Sequence, residues 1–382
     1  MTDAPHAGPP PVPPAVERPP GATSLQPAPQ TYGEPVPMAF TGTEQEFARI
    51  WFVNLALTIL TLGIYAAWGK VRTRRYLYGH TRLGGEGFEY HAKPLALLKG
   101  YLISGAFFAA YALAGNSYPV LSAVLLLIGA GLMPWVLWLS LRFNAQNTGY
   151  LGLRLRFRGS LQRSYRVNLW GALAAGLSFG IMIPLFQHRR RRYAWSGLSF
   201  GDQPVLFGAS AKCFYTAGAL ASVWFLLGFL GIGFLVNAFE EAGLISVNDQ
   251  GEWVDRDAGS SDLLLAAIAP IALVALALGQ AAWTAGTHNA VFRKLGVGPD
   301  VAFDARLSTF RLMWRYLQNN FLLLVTLGLA YPWTRVATWR LLVESISVRG
   351  VENLARAAAA PPDAISALGD AASSAFDLDL GL

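Results

Sequence analysis

Residues 54–76 read NLALTILTLGIYAAWGKVRTRRY, an uncharged stretch that ends in a cluster of basic residues. Thr61-Leu62-Gly63 interrupts the uncharged part near its middle, and the first cation is Lys70. Apolar segments flanked by Lys and Arg are typical of membrane helices whose basic ends remain at the cytoplasmic headgroups. This stretch therefore predicts a helix that enters a membrane and is broken close to a glycine.

The same unit recurs twice along the chain. The second copy begins at Asn168 and reads NLWGALAAGLSFGIMIPLFQHRRRRY; residues 319–340 form the third and read NNFLLLVTLGLAYPWTRVATWR. The first and third copies align without a gap, whereas the second aligns from its glycine onward, after a three-residue insertion. The aligned positions are Asn54 with Asn319, Gly63 with Gly180 and Gly328, Trp68 with Trp333, Pro184 with Pro332, Arg75 with Arg192 and Arg340, and Tyr76 with Tyr193. Three repeated modules are thus predicted, at about 40–93, 151–210 and 301–350.

Longer apolar runs lie between the modules. About 20 apolar residues suffice to cross roughly 30 Å of hydrocarbon. Four runs of this kind are predicted to span the membrane, at residues 94–114, 118–141, 213–239 and 263–283. They pair into two helical hairpins, about 95–141 and 213–283. Residues 240–262, which join the second pair, contain seven acidic residues and one Arg.

The composition excludes an ordinary soluble protein. The 382 residues are 53% hydrophobic and 14% charged, whereas about 25% of the residues in a soluble domain are charged. The net charge of +7 does not predict nucleic-acid binding, because the basic residues cluster at the ends of apolar runs. We expect insertion through internal helices, since no cleavable signal peptide is visible. Cys213, the single cysteine, is expected to be a buried small hydrophobe.

The predicted fold is an all-α polytopic membrane protein with short cytoplasmic β elements. A membrane domain at 38–354 is predicted between a disordered Pro-rich tail, residues 1–37, and a loose tail, residues 355–382. Between residues 153 and 157, apolar residues alternate with arginines, the pattern of a strand with one wet face. Similar extended pieces are predicted around Phe40, Phe88, Phe303 and Ile346.

The distribution of arginines predicts how the modules meet the membrane. Basic residues flank the second and third modules on both sides, so both flanks of each favour the cytoplasm. Our hypothesis is that the modules dip into the membrane and return. This leaves four spans, both tails in the cytoplasm and the acidic loop outside. Seven spans, with each module crossing, is the alternative.

The chain resembles a known family through several short motifs. Phe40-x-Gly42, Asn54-Leu55, Thr61 to Tyr65, Trp68 and the basic run from Arg72 to Tyr76 are similar to the signature of the YjgN family of bacterial inner-membrane proteins. The resemblance covers roughly residues 38–350. The later copies depart from the signature, since Ile181, Met182 and Ile183 replace its central residues and the third copy lacks the dense arginine run. The resemblance implies a location in the bacterial cytoplasmic membrane and no activity.

No motif predicts a reaction. The predicted spans contain no pair of carboxylates, and no hydrolase motif or metal-ligand spacing is found. We therefore expect no enzyme activity, no cofactor and no metal. His288 and Asn289 are expected to pack or cap rather than to bind metal.

The repeated and basic positions are the candidate contacts to lipid or solute. Arg189 to Arg192 are predicted to anchor the topology, to bind anionic lipid headgroups, or both. The aromatic residues beside them favour interfacial anchoring, and the repeated asparagines favour helix–helix hydrogen bonds over solute coordination. The candidates are Asn54, Gly63, Trp68, Arg72, Arg75, Tyr76, Asn168, Gly180, Pro184, Arg189, Arg190, Arg191, Arg192, Asn319, Gly328 and Trp333.

Two functions remain open at this stage. Broken helices repeated within one chain build midplane sites in transporters, which predicts a small-solute permease. The alternative is a non-transporting scaffold that binds anionic lipid or partner proteins through its basic, aromatic-rich flanks.

Overall fold

A computed structural model of the chain describes residues 33–115, 117–247, 253–255 and 259–354. Most of these residues are helical. Four helices are long and apolar enough to cross a membrane, as predicted: α3 (Pro94–Ala114), α4 (Pro119–Gln146), α8 (Ala211–Glu241) and α9 (Ser260–Phe292). The shorter helices are α1 (Glu44–Leu60), α2 (Ala66–Gly79), α5 (Leu161–Ser164), α6 (Trp170–Leu177), α7 (Ile183–Ser196), α10 (Thr309–Val325) and α11 (Tyr331–Glu344). A π-helical turn, Tyr165–Leu169, joins α5 to α6.

The strands are short and widely separated in sequence. They are β1 (Val36–Pro37), β2 (Ala39–Phe40), β3 (Thr81–Leu83), β4 (Glu86–Gly87), β5 (Glu89–Tyr90), β6 (Thr148–Tyr150), β7 (Leu153–Phe157), β8 (Leu198–Phe200), β9 (Gln203–Phe207), β10 (Ile245–Val247), β11 (Trp253–Asp255), β12 (Leu295–Val297), β13 (Val301–Ala305) and β14 (Ile346–Arg349). All pair antiparallel, and β10 and β11 form a separate hairpin between α8 and α9.

The remaining strands close into a ring. Nine pair in the order β1-β14-β13-β12-β9-β8-β7-β6-β5, and β2-β3-β4 form a second sheet. Met38 joins β1 to β2 and Phe88 joins β4 to β5, so the two sheets continue into each other at both ends. The Met38 N–H donates to the Ile346 carbonyl and the Phe88 N–H to the Thr81 carbonyl. Within the described residues these strands therefore form a small antiparallel barrel without a free edge.

An apolar core fills this barrel. One cluster includes side chains from most strands of the ring, among them Leu83, Tyr150, Phe200, Leu295 and Val348. Tyr150 stacks on Phe88 with ring centroids 4.8 Å apart. The barrel interior is thus packed with side chains, as in other small barrels.

Strand order around the barrel follows chain order, and the same unit occurs five times. A strand leads into a helical hairpin and the helical hairpin returns to the next strand; a tight turn follows in the first four units, whereas the last strand, β14, pairs with β1. The three short helical hairpins are α1–α2, α5–α7 and α10–α11; the two long ones are α3–α4 and α8–α9. In each unit the helix N-cap lies three residues after the strand, at Thr43, Lys93, Ser160, Ser210 and Ser308.

One backbone hydrogen bond closes the base of every helical hairpin. The first residue after the outgoing strand donates its N–H to a carbonyl just before the returning strand. The five pairs are Thr41 to His80, His91 to Asn147, Arg158 to Gly197, Gly208 to Lys294 and Arg306 to Ser345, at N to O distances of 2.7–2.9 Å. All five helical hairpins consequently leave the same end of the barrel.

The helices also close into a ring. Each helix packs mainly against its neighbours along the chain, and α11 packs against α1. Small residues allow α8 and α9 to approach closely; a Cβ added to Gly228 would lie 2.3 Å from the Ala275 Cβ. The closest helix pair is therefore one of the two long helical hairpins.

The structure differs from the sequence-based expectations in its β structure and in the exposure of Cys213. The β structure is a large closed sheet rather than a few short elements, because strands predicted singly pair around the whole chain. The alternation at 153–157 is a strand as predicted, and Leu153 and Leu155 pack on the barrel core. The predicted tails lie outside the described residues except for residues 33–37, of which Val36 and Pro37 pair with β14. Cys213 is exposed on α8 rather than buried.

Candidate membrane interface

The three short helical hairpins end in loops with one shared geometry. Their centres are Leu62-Gly63, Phe179-Gly180 and Leu327-Gly328, and both residues of each pair have positive φ. The glycine N–H donates to a carbonyl five residues earlier, at Thr58, Ala175 and Leu323 respectively. This is the 6→1 bond of a Schellman motif. The chain reverses there, and the two helices of each module run antiparallel, with both ends at the barrel.

Every backbone N–H of these loops is bonded within its own helical hairpin. In the first loop the N–H groups of residues 61–66 all donate, five to carbonyls and that of Tyr65 to the Thr61 hydroxyl. Ser178 and Thr326 provide the same hydroxyl acceptor in the other two loops, each at 3.0 Å. A loop without unsatisfied donors meets the main requirement for backbone buried in hydrocarbon.

A large apolar residue lies at the left-handed position of each loop, where glycine is usual. Leu62, Phe179 and Leu327 have φ of 52°, 50° and 49°. That conformation costs a non-glycine residue about 1–2 kcal/mol. Yet these residues are 96%, 97% and 91% exposed, so side-chain contacts within the protein do not offset the strain. Strained residues of this kind cluster at functional sites.

Exposed apolar residues also lie two positions before and after each of these three. The tips therefore present nine large apolar side chains: Leu60, Leu62, Ile64, Leu177, Phe179, Ile181, Val325, Leu327 and Leu329. Exposed clusters of this kind mark interaction surfaces. We refer to these nine residues as the apolar tips.

All three apolar tips lie at a similar distance from the nearest charges. Residues 50–69, 167–188 and 316–334 contain no Asp, Glu, Lys or Arg. The last cations before the three tips are Arg49, Arg166 and Arg315, and Lys70 and Arg335 are the first after the outer two. At 1.5 Å per helical residue, the tips lie roughly 12–20 Å beyond these cations. One leaflet of hydrocarbon is about 15 Å deep, half of the whole core.

The cations at this distance from the tips, and up to one helical turn farther, form a belt around the helical ring. Many lack a carboxylate partner within the part of the chain that the structure describes. Lys70 lies over the ring of Tyr101, and Arg72 and Arg335 lie over Tyr65 and Trp339, at 5.3–5.7 Å from the centroids. Aromatic rings beside unpaired cations are typical of the headgroup region. The basic belt, as used below, comprises Arg49, Lys70, Arg72, Arg166, Arg189, Arg190, Arg192, Arg311, Arg315 and Arg335.

Three of the four consecutive arginines on α7 belong to this belt. Arg189, Arg190 and Arg192 are exposed, whereas Arg191 is half-buried over the ring of Phe214, 5.6 Å from its centroid. Burial lowers the pKa of the Arg191 guanidinium, and Arg190 lowers this pKa further. Arg191 is therefore a packing residue, whereas its three neighbours present their charges at the surface.

Two candidate contacts belong instead to the base of the helical hairpins. The Tyr76 side chain is buried, and its hydroxyl accepts from the Thr43 N–H at 2.7 Å and donates to the Thr43 carbonyl at 2.8 Å. Tyr76 also bonds Glu46 and thereby lowers the pKa of that carboxyl. Arg75 donates to the carbonyls of Tyr90 and Ala92. Both side chains thus stabilise the base of a helical hairpin, and Arg75 is also exposed.

Arg75 represents a set of five side chains that link each helical hairpin to the next unit. Each lies on the second helix of one helical hairpin. It donates to the carbonyl two residues beyond the strand that leads into the next helical hairpin. His188 contributes through its Nε2, 2.9 Å from the Ala209 carbonyl. The other donors and carbonyls are Arg75 to Ala92, Trp138 to Gly159, Asn289 to Leu307 and Arg340 to Gly42, at 2.7–3.2 Å. We call these five contacts the inter-unit links.

The repeated asparagines have three different environments. Asn319 donates to the Thr338 hydroxyl at 2.8 Å, which is the helix–helix bond expected. Asn168, in the π-helical turn, bonds Ser164 on its own helix. Asn54 is buried against Gly69, and neither atom of its amide has a partner. One shared sequence position therefore does not form one shared site.

The other candidate residues lie between these regions. Trp68 stacks on Tyr65 with centroids 6.0 Å apart, and Trp333 meets Phe52 at 5.9 Å. Pro184 packs on α8, since a Cβ at Gly218 would lie 3.0 Å from the Pro184 Cγ. The described residues contain no cluster suited to a metal. His288 packs on the ring of Phe292, and Asn289 forms an inter-unit link.

Sequence reasoning identified the loop glycines but not the residues before them. Nothing in the sequence distinguishes Leu62, Phe179 and Leu327 from other apolar positions, because their exposure depends on the chain reversal. The sequence does not indicate the inter-unit links either, since four different residue types form them, and only Arg75 and Arg340 among them occupy aligned positions in the repeat.

Comparison with known proteins places these features in a family context. The chain matches a family model described as a bacterial protein of unknown function (DUF898) over residues 35–375. It is similar to the inner membrane protein YjgN of Salmonella typhimurium, with 23% identity over 82% of this chain and 88% of that protein. The YjgN proteins of Escherichia coli O157:H7 and K12 are 28% identical over 37% of this chain and 36% of each protein. No solved structure matches.

Proposed function

The chain belongs to the DUF898 family of bacterial proteins of unknown function, as its resemblance to the YjgN proteins predicted, and from that premise we propose that it is a lipid-binding scaffold of the inner membrane. Two helical hairpins cross the bilayer, three enter only the cytoplasmic leaflet, and the barrel lies in the cytoplasm. The basic belt binds anionic headgroups. One observation carries this proposal: in three separate helical hairpins, the apolar tip gives way to the basic belt at a similar distance from the tip.

The orientation follows from the charges. The barrel end of the helices bears the basic belt, whereas the far end of the second long helical hairpin bears Glu240, Glu241 and Asp262. Positive residues favour the cytoplasm, so the barrel is cytoplasmic. We further infer that the three short modules are copies of one unit, because their loops share sequence, φ angles and hydrogen bonds.

Thiol labelling of intact cells tests the topology. In a Cys213→Ser background, single cysteines replace Ser246 on the far loop, Glu86 on the barrel, and Leu62 at an apolar tip. A membrane-impermeant reagent should label only position 246 in intact cells and should add position 86 after the cells are opened. Position 62 should resist the reagent in both cases. Labelling of position 62 from outside would mean that the modules cross, and the proposed topology would fail.

Lipid retention tests the basic belt. Native mass spectrometry of purified protein should show bound anionic phospholipid, and neutralising Arg189, Arg190 and Arg192 to Gln should reduce it several-fold. The matched control neutralises Arg82, Arg154 and Arg349 on the strands, which removes the same charge away from the belt. Equal loss in both variants would attribute retention to net charge and not to the belt.

A small-solute permease remains a second candidate. The loops that interrupt three membrane helical hairpins favour it, because broken helices line transport sites elsewhere. The packed barrel core beneath the helical ring counts against a continuous pathway. Reconstituted protein that moves a solute across vesicles, with loss of that flux in Gly63→Leu and Gly328→Leu, would favour the permease over the scaffold.

A further inference from the structure

We propose that this protein bends the membrane or selects curved membrane, with the cytoplasmic leaflet on the convex side. The inference rests on the proposed insertion of the apolar tips into one leaflet and goes beyond it. Its basis is an unequal number of helices at the two depths of the bilayer.

The inequality follows from the lengths of the helical hairpins. The cytoplasmic leaflet would hold four spanning helices and the six arms of the short helical hairpins. The outer leaflet would hold the four spanning helices alone. A helix with its side chains is about 10 Å wide and occupies about 80 Å² of leaflet, so the six arms add about 500 Å² to one side only. A bilayer relieves such an imbalance by bending, so that the leaflet with more inserted helices becomes the convex side.

The apolar tips are built to stop at mid-membrane. Each loop reverses the chain with its donors satisfied, and no polar side chain follows Leu62, Phe179 or Leu327 that could reach the opposite headgroups. The basic belt fixes the other limit, because drawing its cations deeper would cost several kcal/mol. The arms are therefore held as wedges in one leaflet, as are the curvature-sensitive helices that lie in the interface.

Reconstitution into vesicles of phosphatidylethanolamine and phosphatidylglycerol tests the proposal. Full-length protein with Glu86→Cys in the Cys213→Ser background reports its orientation, because an external thiol reagent labels only barrels that face outward. In small vesicles the outer leaflet is strongly convex. Outward-facing barrels should therefore be several-fold enriched in small vesicles relative to large ones, and inward-facing barrels should show the reverse.

Two variants isolate the apolar tips. Leu62→Ser, Phe179→Ser and Leu327→Ser together should abolish the dependence of orientation on vesicle size. The control replaces three exposed residues at the turn of a spanning helical hairpin, Leu113→Ser, Tyr118→Ser and Val120→Ser, and should keep it. An orientation that is independent of vesicle size in the parent protein would overturn the proposal, as would loss of the dependence in the control.

A depth measurement separates this failure from failure of the proposed function. A fluorophore attached at Phe179→Cys should be quenched by lipids that carry a nitroxide near the bilayer centre. Quenching without any effect of vesicle size would leave single-leaflet insertion standing and overturn the curvature proposal. Absence of quenching would overturn the insertion itself, and both proposals with it.

Discussion

Leu62, Phe179 and Leu327 show how one residue can be unfavourable for the fold and favourable for the membrane. Each occupies a left-handed position and buries little of its side chain in the protein. A lipid environment would reverse this balance, since fully burying a large apolar side chain is worth about 1.5–3 kcal/mol. That gain is comparable with the strain at the loop.

Glycine at position 62 should therefore affect stability and insertion in opposite directions. In detergent, Leu62→Gly should leave the free energy of unfolding unchanged or raise it by up to about 1 kcal/mol, because relief of strain offsets the added chain entropy. The matched variant Leu60→Gly, in the last residue of α1, should lose about 1 kcal/mol. Equal destabilisation of the two variants would show that Leu62 is not strained.

The repeated asparagines predict unequal effects of one substitution. Asn319→Ala removes a hydrogen bond to Thr338 and should destabilise the protein by about 1 kcal/mol. Thr338→Ala should reproduce most of this loss. Asn54→Ala removes an amide without partners, so thermal unfolding in the same detergent should show no loss or a small gain. A larger loss at position 54 than at 319 would contradict these assignments.

At the scale of elements, the inter-unit links hold neighbouring helical hairpins in place around the barrel. Trp138→Phe keeps the ring and removes the donor to the Gly159 carbonyl, 2.7 Å away. The expected loss is about 1 kcal/mol in the free energy of unfolding. Trp224→Phe, at an exposed position on α8, is the control and should change stability far less. If both variants lose a similar free energy of unfolding, the hydrogen bond of Trp138 does not stabilise the fold.

The helical elements could be predicted from the sequence because their signals are local. Spans appear as apolar runs, and the modules appear as a repeated Thr-Leu-Gly or Ser-Phe-Gly between an asparagine and a basic run. Arginines on both flanks of the second and third modules favour one compartment, which is the basis for predicting that the modules return to the side from which they enter. The nine exposed tip residues could not be foreseen, because exposure follows from three-dimensional reversal and not from residue type.

At the scale of the whole molecule, the barrel escaped prediction because its pairings are not local. Strands of two to five residues carry little pattern, and their partners lie up to hundreds of residues away, as with Val36 and Val348. Sequence showed individual strands around Phe40, Phe88, Phe303 and Ile346. Nothing in those pieces indicates that they share one core.

Removal of residues 1–40 should open the barrel. The deletion takes away β1 and β2, which leaves unpaired edges on β14 and β3 and exposes the apolar core. We expect aggregation or loss of a cooperative unfolding transition, measured by size-exclusion chromatography and thermal unfolding. Deletion of residues 1–31, which keeps both strands, is the control. A monodisperse, cooperatively unfolding protein without residues 1–40 would mean that the ring does not need its closing strand.

Ring closure also predicts that the position of the chain break is free to move. Four tight turns join neighbouring strands, and the fifth place is the noncovalent pairing of β14 with β1. A permuted chain that opens at Gly201-Asp202 and joins the ends near Tyr32 and Leu354 with a flexible linker preserves every strand pair and all five helical hairpins. It should insert in the membrane and unfold within a few degrees of the parent in the same detergent.

A control opened at Gly63, inside a membrane loop, breaks the 6→1 bond and places charged termini at mid-membrane, so it should fail to insert. If neither permuted chain folds, the closed barrel is contradicted. Only in a closed barrel is a break at Gly201-Asp202 equivalent to the gap between β14 and β1.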